Sequence, residues 1–427
     1  MIRKEMIAML LAGRKEGGLG ILTDRVSKAA LPFGGKYRII DFPLSNCIHS
    51  GIDTAGIITR YRPVRLNAHI GIGASWDMDK SYGGVTVLPT YEECSGGEAI
   101  GTVQAVYRNY EYMLQYHPDY VLISPADCLY KMDYEVMLDF LKAMDADVAI
   151  CAIPAKEGEE AEGLIYTDAY GYILPPGAGI PSDGRKYVST EIYIFRWTAL
   201  KEMLLALGED PTCEFATDML PFCMRNGSRL CAYEFTGYFE RLDSPAAYWK
   251  ANLELLIGEV EMGLNLNERF WKIYTNAEQS APVFFTDTSA VSGSIIGEGA
   301  DIKGQVTDSV IGAGATVEAG AVIRNSVVMP EAYIGSGAVV DMAIICEGAG
   351  IGDHAVIGTG EFAQSALDPD IYNSDLTIIG ENAVVPPHVK IGRNAVVSGV
   401  TDESDYPGGE LASGCAIAPD QKEGDKA

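Results

Sequence analysis

The chain has 427 residues, 48% of them hydrophobic and 21% charged, which at roughly 150 residues per domain suggests two or three globular units and excludes a disordered chain. No run approaches the ~20 apolar residues that a membrane span requires. A formal net charge of −27 repels nucleic acid over most of the surface and excludes a general DNA or RNA binder.

The charge is uneven. Residues 1–65 carry eleven basic and five acidic side chains, net +6, against −33 for the remainder, so one end of the chain suits phosphate groups. The plainer reading, a few solvated basic residues near a terminus, stands beside it. Nine cysteines, an odd number with no CxxC spacing, give neither a zinc site nor a disulfide framework and fit a reducing, cytoplasmic setting. The run Met6-Ile-Ala-Met-Leu-Leu-Ala12 behind Arg3 and Lys4 imitates a signal peptide, but it is short and no A-x-A site follows. It is expected to be a buried strand.

Up to about residue 250, short apolar runs alternate with amphipathic ones. Met6 to Leu11, Thr54 to Thr59, Tyr120 to Ser124 and Val148 to Ile153 read as buried strands, and Thr102 to Tyr116 places Val103, Val106, Tyr110 and Met113 at helical spacing. Strand alternating with helix implies a doubly wound α/β domain with a mostly parallel sheet. Ligands of such sheets sit beyond the carboxyl ends of the strands, which directs attention to the loops after Leu11 and after Ser124.

From about residue 292 an aliphatic residue recurs every six positions, as in Ile345, Ile351, Ile357 and then Ile379, Val385, Ile391, Val397. Ile-Gly pairs recur at 296, 311, 334, 351, 379 and 391. A period of six predicts a parallel β-helix whose corners are eased by glycine. Residues 359–377 break the period and are expected as a loop ejected from the coils. The expected division is an α/β domain over 1–250, a linker over 251–291, a β-helix over 292–401 and a polar, poorly ordered tail over 402–427.

Several strings carry a resemblance. Pro32-Phe-Gly-Gly-Lys-Tyr-Arg-Ile-Ile-Asp-Phe-Pro-Leu-Ser-Asn-Cys47, Ser50-Gly-Ile-Asp53, Gly84-Val-Thr-Val-Leu-Pro89, Tyr130-Lys-Met-Asp-Tyr134 and Tyr248-Trp-Lys-Ala-Asn-Leu253, in that order, resemble bacterial glucose-1-phosphate adenylyltransferase, also called ADP-glucose pyrophosphorylase. The resemblance runs from about residue 6 to residue 400. It implies a Rossmann-like nucleotidyltransferase domain followed by a left-handed parallel β-helix. It also implies the reaction of ATP with glucose 1-phosphate to give ADP-glucose and pyrophosphate for glycogen biosynthesis. Such a transfer needs amides and a cation on the leaving pyrophosphate, a lysine on the sugar phosphate, and carboxylates holding Mg²⁺.

What the resemblance implies for sites is mixed. The family's phosphate loop, Leu-Ala-Gly-Gly-x-Gly-(Ser/Thr)-Arg-Leu, reads here Leu11-Ala12-Gly13-Arg14-Lys15-Glu16-Gly17-Gly18-Leu19. Leu11, Ala12, Gly13 and Leu19 align, while Arg14 and Glu16 replace glycines and Gly18 replaces the arginine. Asp127 matches the first metal carboxylate, but Arg241 stands at the second, and a guanidinium cannot ligate a metal. Glu240 and Asp243 are its acidic neighbours. The family's Glu-Lys-Pro is absent from Ile173 to Ser182, with no basic residue before Arg185 and Lys186, and Glu191 replaces a glycine. Ala99 stands where the family's string before Gly101-Thr102 has a tyrosine. Gly101 and Thr102 remain as nucleotide-binding candidates, Gly163 and Ser189 as sugar-phosphate candidates, and Lys28 as a retained catalytic lysine. Arg25, Lys36 and Arg38, with Arg60, Arg62 and Arg65, keep a segment cationic enough to hold a phosphorylated effector.

The departures concentrate at groups that would touch phosphate or metal, while framework strings persist. This resembles a regulatory subunit with impaired catalysis, working in a homo- or heterotetramer with a catalytic ADP-glucose pyrophosphorylase subunit and binding ATP, ADP-glucose, glucose 1-phosphate or effectors. The alternative is an active enzyme, dependent on Mg²⁺, with a phosphate loop rebuilt around Arg14 and Lys15 and a metal site rebuilt around Asp127. A third reading, a hexapeptide acyltransferase using a histidine base, finds only His354 and His388 in the coils, neither in a fitting context.

Overall fold

The computed structural model describes residues 3–13, 17–90, 100–156, 163–175, 182–257, 264–277 and 280–418. Its contacts divide the chain into one unit comprising Met1–Arg14, Ile40–Phe239 and Leu266–Tyr274 and another comprising Lys15–Ile39, Glu240–Asn265 and Thr275–Ala427.

In the first unit the apolar run behind Lys4 forms the strand Met6–Ala12, buried along its length except at Leu11. It is central in a sheet ordered Leu230–Glu234, Val148–Pro154, Arg185–Arg196, Tyr120–Pro125, Met6–Ala12, Thr54–Thr59, Gly84–Pro89. The pairs flanking Met6–Ala12 are parallel, as expected for strands that read as continuous hydrophobic runs. Arg185–Arg196 runs antiparallel to both its neighbours, which makes the sheet mixed. Strand order reverses between Met6–Ala12 and Tyr120–Pro125, and such a switch point opens a crevice at the carboxyl ends.

The helix expected over Thr102 to Tyr116 is two, Thr102–Tyr107 and Tyr110–Tyr116. Asn109 breaks it: its ψ of 20° lies outside the helix, and its side-chain amide donates to Ala105 O at 2.9 Å, the local competition with backbone hydrogen bonding typical of Asn. Val103, Val106 and Met113 are nonetheless buried, because both helices keep the same face on the sheet.

The second unit contains three parallel sheets whose strands succeed one another around each coil, as a β-helix requires. Ile345, Ile351, Ile357, Ile379, Val385, Ile391 and Val397 all point inward with no more than 1% exposure. The period is not a strict six. Val317 pairs with Ile334 and Ile334 with Ile351, so these coils take 17 residues and one side in three is a residue short, while the coil from Ile302 to its partner Val317 takes 15. At that short corner Asp308, Asn325 and Met342 adopt φ of 47°, 45° and 49°, so left-handed non-glycine residues turn it, two of them the Asp and Asn that tolerate this region best.

The domain boundaries differ from those expected. Coils begin with Phe284–Phe285 and Ala290–Ser292 and continue through Glu410–Leu411 and Ala416–Ile417, which pair with Lys390–Gly392 and Val396–Val397. Residues 410–418 therefore continue the coils and are not tail, because Leu411 and Ile417 still cover the core, and the short helical turns Glu403–Asp405 and Pro407–Gly409 lead into them; residues 419–427 lie outside the described residues. Of the expected linker over 251–291, residues 258–263 and 278–279 lie outside the described residues, and other parts of it are built in. Leu266–Tyr274 belongs to the first unit, where Trp271 donates to Asn46 Oδ1 at 3.0 Å and stacks on His49 at 4.6 Å. The ejected loop lies between Val356–Thr359 and Thr377–Ile379, but Tyr372 within it is buried and its hydroxyl accepts from Ile21 N at 2.9 Å.

Within the second unit, helix Pro245–Glu254 is tied to the coils by Trp249 Nε1 donating to Asn325 O at 2.8 Å and to the Pro32–Gly34 turn by Gly34 N donating to Asn252 Oδ1 at 2.9 Å. No helix among the described residues is long and apolar enough to cross a membrane. Ile351→Ala should destabilise the protein by about 2–5 kcal/mol in urea unfolding through a cavity that cannot collapse. The half-exposed Val384 in the next coil, changed to Ala, should cost no more than about 0.5 kcal/mol.

Candidate active site

The carboxyl end of the central strand leads into Gly13, whose φ of 90° is left-handed and open to glycine. The neighbouring strand Tyr120–Pro125 ends beside it, and Ala126 N donates to Leu11 O at 3.0 Å. Leu11, Ala12 and Gly13 and the turn bearing Asp127 thus share the switch-point crevice of the first unit. Asp127 is only 8% exposed, and the Cys128 thiol lies 4.0 Å from its Oδ1 as a weak donor.

That turn is held from beneath. Tyr130 OH is 2.7 Å from both Ser124 Oγ and Tyr134 OH. Burial pushes both phenols well up, so they stay protonated and act as hydrogen-bond links. Asn46, fully buried, donates to Tyr130 O at 3.1 Å and accepts from Met132 N at 3.3 Å.

Gly101 and Thr102 are engaged by the chain itself. Gly101 N donates to Pro211 O at 2.6 Å, and a Cβ at 101 would collide with Cys213 O. Glu214 Oε2 accepts from Thr102 N at 3.1 Å and from its hydroxyl at 2.5 Å. The Gly-Thr pair is therefore accounted for by packing and by a carboxylate 112 residues away, a partner with no local sequence signal. Gly163 and Ser189 do meet, through Ser189 N donating to Gly163 O at 3.1 Å. Beside them Glu191 takes φ 62° where the register between Ser189 and Tyr193 slips. Arg185 Nη1, the nearest basic group in sequence, pairs with Glu234 at 3.1 Å.

Of the other candidates, Arg60, Arg62 and Arg65 lie in the first unit, whereas Arg25, Lys28, Lys36 and Arg38 lie in the second. Lys28 is 3% exposed and its ammonium lies 3.4 Å from Asp243 Oδ1. Asp243 N in turn donates to Arg241 O at 3.0 Å, at the end of strand Phe239–Arg241. Gly18 rests against this same segment: a Cβ there would overlap the carbonyl oxygen of Asp243. Lys36 pairs with Glu298 at 2.6 Å. Arg38 donates to Ala30 O at 2.6 Å and pairs with Glu347 at 3.4 Å, whereas Arg25 is exposed. Arg14, Lys15, Glu16, Ala99 and residues 176–181 lie outside the described residues.

Comparison with known proteins decides the family. A nucleotidyl transferase profile matches residues 7–257, and a GlmU-like, C-terminal hexapeptide profile matches 281–368. The chain is 49% identical over 419 residues to glucose-1-phosphate adenylyltransferase of Lachnospira eligens, covering 98% of this chain and 99% of that one. It is 38% identical over 421 residues to that of Acetivibrio thermocellus, at 98% of each, and 40% identical over 399 residues to that of Thermosipho africanus, at 92% and 96%. The chain belongs to the glucose-1-phosphate adenylyltransferase family.

Members of this family typically work with Mg²⁺, and the donor set here can be tested for it. Asp127 is a suitable oxygen donor at a strand end, but position 241 supplies a guanidinium, and a hard divalent cation needs several oxygen ligands. Among the described residues no three His, Cys, Asp or Glu side chains gather closely enough to hold a metal ion. Asp243, a possible replacement by sequence, faces Lys28 instead. Mg²⁺ commonly takes one or two carboxylates together with waters and substrate phosphates; Asp127 is one such carboxylate, and Arg241 adds no second.

Gly18→Ala should destabilise the protein by about 1–3 kcal/mol, the usual cost of overpacking, because the obstructing atom is backbone. Thermal unfolding checks this, with Gly17→Ala, whose Cβ meets nothing within 4 Å, as the neutral comparison.

Proposed function

We propose that this chain is a subunit of glucose-1-phosphate adenylyltransferase with strongly impaired turnover, regulating a catalytic partner in glycogen biosynthesis in the cytoplasm. The observation that carries this reading is the closure of position 18 against Asp243. The resemblance assigns that position an arginine for the triphosphate, and no side chain fits there without moving backbone. The guanidinium at 241, where the family holds a metal, supports the same conclusion, since attack on an α-phosphate needs the developing charge stabilised in place. A Mg²⁺ ion brought near a fixed guanidinium is repelled, by about 8 kcal/mol if the charges stood 4 Å apart at an effective dielectric of 20.

The test is the initial rate of pyrophosphate release from ATP, Mg²⁺ and glucose 1-phosphate. The isolated chain should turn over at least about 100-fold below the ~10 per second typical of enzymes, and mixing it with a catalytic subunit should change that subunit's rate or effector response. A rate near 10 per second from the chain alone would sink the proposal.

Effector binding would use Arg25, Lys36 and Arg38. Lys36 and Arg38 already face Glu298 and Glu347, so a phosphorylated ligand competes with carboxylates there. Arg25→Ala with Arg38→Ala should abolish the effector response of the mixed oligomer, read as its activation curve, while an unchanged curve would count against these residues.

A further inference from the structure

Within the second unit the segment Gly17–Thr23 is held at three points. At Gly18 it rests on the carbonyl of Asp243. Gly20 has φ 53° and ψ −132°, a conformation left to glycine, and a Cβ there would overlap the hydroxyl of Tyr372. That hydroxyl accepts from Ile21 N at 2.9 Å. The Ile21 side chain covers Gly380 of the coils so closely that a Cβ at 380 would meet its Cδ1. Tyr372, 5% exposed, is carried by the insertion between Val356–Thr359 and Thr377–Ile379, and coil residues seat that insertion in turn. Asn394, fully buried, donates to Ala363 O and to Tyr372 O, each at 3.0 Å. Ala366 N donates to Gly414 O at 2.8 Å, and Arg393 pairs with Asp375 at 3.5 Å. Direct contacts thus run from the last coils through the insertion to the backbone of Gly20 and Ile21, all inside the second unit.

We infer that the insertion is a strap and Tyr372 its pin: through that hydroxyl the last coils hold Gly17–Thr23 in the position that closes Gly18 on Asp243. Tyr372 is a positioning residue, acting through the backbone of Gly20 and Ile21. Ordering an excursion from the coils costs conformational entropy, and the buried anchor at Asn394 directs that order at a single phenol. Burial raises the Tyr372 pKa above its ordinary value, so the hydroxyl stays neutral at physiological pH. Without the pin, Ile21 N loses its acceptor and Gly20 regains the freedom of a glycine, so the segment can leave Asp243. The inference goes beyond the impaired-subunit reading and does not depend on it, since the strap holds the segment whether or not the chain turns over substrate.

The experiment is hydrogen–deuterium exchange of the full-length protein, read by mass spectrometry on the peptide from Gly17 to Asp24. Tyr372→Phe, which keeps the ring and removes the acceptor, should speed exchange of one amide in that peptide by about 5- to 50-fold, the range for a backbone amide left without its partner. Asn394→Ala, whose lost bonds are to the insertion, should speed exchange in the same peptide by unseating the strap. Gly20→Ala, which drives the Tyr372 hydroxyl away from the other side, should reproduce the Tyr372→Phe pattern, and circular dichroism identifies any variant that fails to fold. Coil peptides from Thr316 to Ile345 should exchange as in the parent, whereas loss of a merely structural residue raises exchange in coils and segment alike. Parental exchange from Gly17 to Asp24 in Tyr372→Phe, a rise shared equally by the coil peptides, or an Asn394→Ala protein that loosens residues 360–376 and leaves Gly17 to Asp24 protected each overturns the inference. Turnover by the parent chain would count against the impaired-subunit reading alone, and the exchange result stands apart from it.

Discussion

Much in this molecule depends on the contact between the backbone at Gly18 and the carbonyl of Asp243. A segment that follows the central strand of an α/β sheet is ordinarily free to wrap an anionic ligand with amides and a basic side chain. Here its downstream part is pressed against residues 241–243, and the buried Lys28 is drawn to the same aspartate. With position 18 closed to anything beyond a hydrogen, the cation described beside Asp243 is Lys28.

The same economy is visible at the other retained motif residues. Thr102 keeps its hydroxyl and amide, yet both are satisfied by Glu214, so a residue that looks ligand-ready in the sequence is a latch in the fold. Asp127 keeps its place because the turn beneath it is wired by Asn46, Ser124, Tyr130 and Tyr134. Those buried hydrogen bonds are costly to disturb, since a polar group left unpaired there pays its full desolvation penalty.

The β-helix illustrates how a repeat accommodates exceptions. Its core demands one aliphatic side chain per side, and Ile345 through Val397 supply it, but the corners need only a left-handed residue. Asp308, Asn325 and Met342 meet that need at the short corner, and the insertion after Thr359 leaves the coils at a local register shift between Ile357 and Thr359 and rejoins them with Ile345 and Ile379 still paired. The insertion is itself anchored, through Tyr372, to Ile21.

The sequence by itself determined four strands of the α/β sheet, the β-helix core and the position of Arg241, since these follow from local apolar runs, a short period and the identity of a side chain. It also located Asp127 at the end of a buried strand. Tertiary structure alone decided the rest: that residues 266–274 return to the first unit, and that Thr102 belongs to Glu214 and Lys28 to Asp243. The physical reason is sequence separation. Periodicity and propensity act over a few residues, whereas these pairings join groups 112 and 215 positions apart, and only the packed backbone brings them within reach.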